Sequence, residues 1–162
     1  MFGVKIEIYH ASKFGNGARV AGELQRLLIA KGNQVNVHHI KEARPRELPA
    51  ADLYVFGAPG RIGKPIGSMR RFLRKVDLPS GTRYALFATH GSARPDKKTG
   101  KMPTVEEREK WLRSIPIMEE LLKVKGMVKV ADMKVFVVDL KGPLEDGWQK
   151  KVETYADQIA PA

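Results

Sequence analysis

Cysteine is absent from the 162 residues, and with it go disulfides, thiolate zinc sites, iron–sulfur clusters and cysteine nucleophiles. No apolar run approaches the ~18 residues that a membrane-spanning helix needs. The opening Met1-Phe2-Gly3-Val4-Lys5 has neither the basic region nor the apolar block of a secretory signal, so a cytoplasmic setting is expected. Acidic side chains are scarce, 18 against 29 Lys and Arg, for a net charge of +11. The 43% hydrophobic content argues against wholesale disorder. The length suits one domain, 1–162, with a core of its own. Composition alone sends such a basic chain toward nucleic acid or anionic lipid.

The excess is local. Between positions 58 and 101 stand Arg61, Lys64, Arg70, Arg71, Arg74, Lys75, Arg83, Arg94, Lys97, Lys98 and Lys101, against only Asp77 and Asp96. That window therefore holds +9 of the +11. An arbitrary run of charge is an ordinary solvated face; what the window contains structurally decides whether this one is.

Short apolar runs alternate with helix-period segments from end to end, the pattern of βα units around a parallel sheet. A first strand is expected at about Val4–Tyr9, followed by a helix with Val20, Leu24, Leu27 and Leu28 on one face, closing at Lys31-Gly32. Val35 and Val37 alternate with Asn36 and His38, as on a half-exposed edge strand. Leu53–Phe56 and Tyr84–Ala88 are continuous apolar runs, expected of strands covered on both faces. Met69, Phe72, Leu73 and Val76 mark a short amphipathic helix between them. Thr104 and Glu107 form a capping-box pattern that opens another helix, which Pro116 should kink or split, and Gly126 should stop. A fifth strand is expected at Lys134–Val138 and a last helix over Trp148, Val152, Tyr155, Ala156 and Ile159. Trp111, Trp148 and the methionines sit at helical spacing and read as core. Lys5 and Glu7 alone break the pattern, because a central parallel strand should be apolar on both faces.

Ligands of open parallel sheets sit beyond the carboxyl ends of the strands, where the winding reverses. The first loop there reads His10-Ala11-Ser12-Lys13-Phe14-Gly15-Asn16-Gly17-Ala18-Arg19 and runs directly into a helix. Small residues and two glycines let its backbone N–H groups curl around an anion, and the helix N-terminus adds partial positive charge. Ser12 offers a hydroxyl and Asn16 an amide. Nucleotide hydrolysis fails the test: Ala58-Pro59-Gly60-Arg61-Ile62-Gly63-Lys64-Pro65 lacks the first glycine and the final Ser or Thr of a Walker sequence. No G-x-G-x-x-G follows the first strand, and the acidic residues a phosphoacceptor domain needs are replaced by Tyr9-His10 and Gly57-Ala58. His38 and His39 are consecutive on a strand and point to opposite faces, so they do not jointly chelate a metal. His10 and His90 fall at strand ends near the presumed ligand, where a role in binding and a role in packing both stand open. No nucleophile–base pair stands out, which disfavours a hydrolase.

The order Ser12-x-x-Gly15-Asn16-Gly17 after the first strand resembles the phosphate loop of the flavodoxin family. The rest follows in register. Asp52 to Gly60 is similar to the family's third strand and second flavin loop, and Met69-Arg70-Arg71-Phe72-Leu73 to the helix behind it. Tyr84 to Gly91 is similar to its fourth strand and third loop, with Val135 to Asp139 and the Gly142-Pro143 turn completing the set. The resemblance spans about residues 3–160 and implies a three-layer α/β sandwich around a five-stranded parallel sheet of order 2-1-3-4-5. It implies that Ser12, Lys13, Phe14, Gly15, Asn16 and Gly17 hold the phosphate of flavin mononucleotide (FMN). It implies further that Pro59, Gly60, Arg61, Ile62 and Gly63, with Thr89, His90, Gly91 and Ser92, flank its ring. Phe14 and Gly17 replace the family's usual hydroxyls, and Arg61, Ile62 and His90 stand where most members stack aromatics.

Under that resemblance the chain is an electron-transfer flavoprotein, with a less negative reduction potential than acidic family members because cations rim the ring. The twelve residues Ser92 to Pro103, with Arg94, Lys97, Lys98 and Lys101, form a basic flap suited to an acidic redox partner protein, an anionic quinone or porphyrin, or NAD(P)H. Docking on nucleic acid or an anionic membrane surface is open to the same charge. Two alternatives remain: an oxidoreductase of quinone reductase or protoporphyrinogen oxidase type, and a cofactor-free basic binding module.

Overall fold

The computed structural model describes residues 3–139 and 141–160. Its apolar runs form β1 (Lys5–His10), β2 (Gln34–His39), β3 (Leu53–Arg61), β5 (Arg83–Gly91) and β6 (Val128–Val137), all parallel and ordered β2-β1-β3-β5-β6. A two-residue strand, β4 (Lys64–Pro65), turns back antiparallel on the end of β3. The expected order 2-1-3-4-5 is thus present, with this short sixth strand added.

Helices cover both faces. α1 (Asn16–Ala30) and α5 (Trp148–Ile159) close over Ile6, Ile8, Val55, Phe87 and Val135. α2 (Gly67–Lys75) and α4 (Ser114–Lys123) close over Tyr9, Phe56, Leu86 and Ala88. The alternation of side chains along each strand sends neighbours to opposite layers, which is why Phe56 and Val55 belong to different cores.

Four expectations need correction. The last strand begins at Val128, not Lys134. Its first half alternates Lys129 and Asp132 with Ala131 and Met133, as befits an edge strand wet on one side, so no apolar run announces it. The helix opened by Thr104 is only α3 (Val105–Glu109); the capping box forms with both bonds at 3.1 Å. The break falls at residues 110–113, before Pro116, which sits in the first turn of α4 where its missing N–H is not needed. Trp111 is 55% exposed and Met102 56%, so neither is core, whereas Met69, Met118, Met127 and Met133 are buried. Met1 lies outside the described residues.

Glu7 is 2% exposed, and its carboxylate is met from the edge strand β2 and from Lys5 of its own strand. His38 Nε2 lies 2.8 Å away, Asn36 Nδ2 donates at 3.2 Å and Lys5 Nζ stands at 3.6 Å. The break in hydrophobic alternation is a buried carboxylate with three polar partners, which offset its desolvation.

A cleft at the carboxyl edge of the sheet

β1 ends at His10, and the chain reverses into α1 through a left-handed Gly15 (φ 92°) that caps the helix without any side-chain bond. The first-turn amides of α1 therefore have no capping side chain, and no acidic residue occupies that turn. The loop is fastened from behind by two histidines. Ser12 N–H donates to His10 Nδ1 at 3.2 Å, and the Ser12 carbonyl accepts from His39 Nε2 at 2.9 Å. Gly15 N–H donates to Ser12 Oγ at 3.0 Å, closing the turn. A Cβ at Gly17 would lie 3.3 Å from that of Ser12, so the first helical turn packs closely on the serine. Asn16 is buried, and its amide donates to the Lys141 carbonyl at 3.3 Å, tying this loop to the one after β6.

The second loop is a tight hairpin. Ile62 (φ 51°) and Gly63 (φ 77°) are both left-handed, the arrangement of a two-residue turn between β3 and β4. Gly63 accepts the Arg113 N–H at 2.8 Å, and a Cβ on it would overlap Lys110 and Trp111, so the hairpin is fixed against the α3–α4 connection. The third loop leaves β5 at His90, which is 3% exposed and has no partner at Nε2. A Cβ on Gly60 would overlap the His90 ring, and Ser114 Oγ, also buried and without a partner, lies beside the same point. Burial first, then Lys134 and Arg108, pushes the His90 pKa down to about 4. Burial and then His39 do the same to His10, also about 4.

These loops enclose a cleft of about 240 Å³. Eleven of the fifteen expected residues line it: Ser12, Lys13, Phe14, Asn16, Gly17, Pro59, Gly60, Arg61, Thr89, His90 and Gly91. Gly15 lies behind the lining as the helix cap, Ile62 and Gly63 form the hairpin tip outside it, and Ser92 bonds to Val137 in the strand ladder. Three lining residues fall outside those fifteen: Arg94, expected in the basic flap, and Val137 and Asp139 at the end of the last strand. Arg94 and Asp139 pair at 2.9 Å across the mouth. Asp139 was within reach of the same rule that located the other loops, since it follows the carboxyl end of the last strand; its pairing with Arg94 was not.

Such an arrangement suits an anion at the α1 end. The cleft, at about 240 Å³, is smaller than the ~300–1,000 Å³ that engulfs a ligand, so it has room for only part of a nucleotide-sized molecule. Lys13 and Arg61 add positive charge, while among the described residues the one aromatic ring besides His90 in the lining is Phe14, half exposed between Lys13 (5.8 Å) and Lys141 (5.5 Å). Among the described residues no group of three or more His, Asp and Glu is placed to hold a metal.

A doubly wound α/β protein with a ligand cleft at the switch point is the class this geometry defines. Within that class the chain has the flavodoxin fold. Flavodoxin 2 from Bacillus cereus superposes with a TM-score of 0.75 at 21% identity, over 96% of this chain and 97% of that one. A flavodoxin from the domain Archaea gives 0.70 at 18%, over 96% of each. Rubredoxin oxygen:oxidoreductase from Desulfovibrio gigas gives 0.71 at 17%, with 96% of this chain matching only 35% of that larger one. No protein-family model matches the sequence, and no curated protein matches it.

Proposed function

We propose that the cleft holds FMN and that the protein is a flavin-dependent electron carrier in the cytoplasm, serving a partner with acidic side chains at the point of contact. The observation that carries this reading is the N-terminus of α1, free of any capping side chain and opening into the cleft, with the Ser12 hydroxyl and Lys13 beside it. A phosphate fits there on backbone N–H groups, and residues 59–61 and 89–91 form the walls for a flat ring. When bound, the flavin supplies the one- and two-electron chemistry; the chain binds it, orients it and sets the charge around it. With Gly17 packed on Ser12, affinity rests on amides and one hydroxyl instead of several hydroxyls.

The test is direct. Purified protein should carry, or take up from added FMN, the visible flavin spectrum, and it should bind FMN more tightly than riboflavin, which lacks the phosphate. Protein that stays colourless and ignores FMN overturns the reading. Turnover of NAD(P)H with a quinone would make the holoprotein an enzyme and not a passive carrier.

A further inference from the structure

Four exposed apolar side chains, Val105 among them, stand on the segments that rim the cleft yet take no part in its lining. Of the other three, Ile62 is 82% exposed, Met102 56% and Trp111 55%. Each of these three directly follows a cation, in Arg61-Ile62, Lys101-Met102 and Lys110-Trp111. Among the described residues none of those three cations forms an ion pair.

Ile62 is the sharpest of the three. A β-branched residue at φ 51° is strained where Asn or Gly would sit at ease. An isoleucine that strains the turn and contributes nothing to the core is explained by a contact outside the fold. Gly63 packs on Lys110 and Trp111, so this tip and the tryptophan lie side by side. The segment that carries Met102 and Trp111 is equally unabsorbed by the fold: from Gly91 to Arg113 no side chain is buried.

Charge selects the occupant. The hairpin and that segment together carry Arg61, Lys64, Arg94, Lys97, Lys98, Lys101, Arg108, Lys110 and Arg113, against Asp96, Glu106, Glu107 and Glu109. Two of those carboxylates, Asp96 and Glu107, already accept backbone N–H groups. A second copy of a +11 chain is repelled. Single-stranded nucleic acid stacks on successive aromatic faces, and of the three tips only Trp111 offers one. Separate apolar tips, each beside its own cation, suit a surface into which every tip dips while the cation stays at phosphate level.

We propose that this rim docks the protein on an anionic lipid bilayer, with Ile62, Met102 and Trp111 entering the headgroup region and the adjoining Lys and Arg side chains meeting lipid phosphates. The docking does not depend on the flavin reading. Cosedimentation of the full chain with phosphatidylglycerol vesicles, and with phosphatidylcholine vesicles as the neutral control, tests it with or without FMN.

Binding should be confined to phosphatidylglycerol, weaken with salt, and shift tryptophan emission to the blue, a shift lost in Trp111→Phe. Ile62→Asn should lower the partition about ten-fold, the loss of one partly buried aliphatic side chain, while leaving the Tm unchanged or higher because Asn accepts the turn. Lys101→Ala should lower it about five-fold. No binding to phosphatidylglycerol at low ionic strength overturns the proposal. So does undiminished binding of Ile62→Asn and Trp111→Phe, since charge alone then suffices. Tighter capture by polyglutamate than by the vesicles, with the same dependence on Ile62 and Trp111, would make the rim a protein-docking site and likewise overturn it.

Discussion

His10 and His90 are 7% and 3% exposed, and each is held to a pKa of about 4 chiefly by burial. In the unfolded chain both take a proton near 6.5; in the folded chain neither does until near 4. Stability is therefore full above about pH 6.5 and falls as the pH drops through the window between the two values. Each histidine steepens that slope by up to about 1.4 kcal/mol per pH unit. Urea denaturation at pH 7 and pH 5 should show the loss, and His90→Gln should remove one share of it; an equal slope in the variant would deny His90 its part. Residue-scale chemistry of this kind was partly legible. The glycine-rich helix start that brings residues 12–14, 16 and 17 to the cleft was legible as a strand running directly into a helix, a local feature. That Asn16 bonds to Lys141, and that Arg94 pairs with Asp139, depends on how distant loops meet, which no local spacing encodes. Glu7 shows the same limit, because its partners Asn36 and His38 come from another strand.

Apolar periodicity located the elements wherever burial is two-sided or one-faced: β3, β5, α1, α2 and α5 lie where the runs place them. It missed the first half of β6, whose edge position lets charged residues alternate with buried ones, and β4, whose two residues have no pattern to read. At α3 local and tertiary signals separate. Its capping box is complete, yet the helix buries no side chain, so capping and local hydrogen bonds hold it with little help from packing. Thr104→Ala removes the side-chain half of that box, a change of about 1 kcal/mol in a typical helix. Because nothing in the core rests on α3, the loss should stay local. Hydrogen exchange at residues 105–109 should speed up by about five-fold, while the global Tm moves by no more than its measurement error. A large fall in Tm would show that α3 supports the fold after all.

At the scale of the whole molecule the +11 charge is uneven along the chain, with +9 of it between positions 58 and 101, yet only Arg61 and Arg94 of that window line the cleft. Lys13 and Arg61 line the cleft, exposed and without ion pairs among the described residues, whereas Arg94 is matched by Asp139. With FMN bound as proposed, a ring that gains electrons gains negative charge and feels this field. At a nominal ~6 Å, one cation contributes about 2.8 kcal/mol at an effective dielectric near 20, equivalent to roughly 120 mV for one electron. In bulk water the same pair gives only about 0.7 kcal/mol, or roughly 30 mV. The exposure of Arg61 places it near the lower figure. Arg61→Glu replaces an attraction by a repulsion, so the potential should become more negative by about 60 mV at low salt. Raising the ionic strength toward 1 M, where the Debye length is about 3 Å, should erase most of the difference. Redox titration of both proteins at low and high salt checks the sign, the size and the screening together. Identical potentials at low salt would leave the basic rim with docking as its role and no part in setting the flavin's potential.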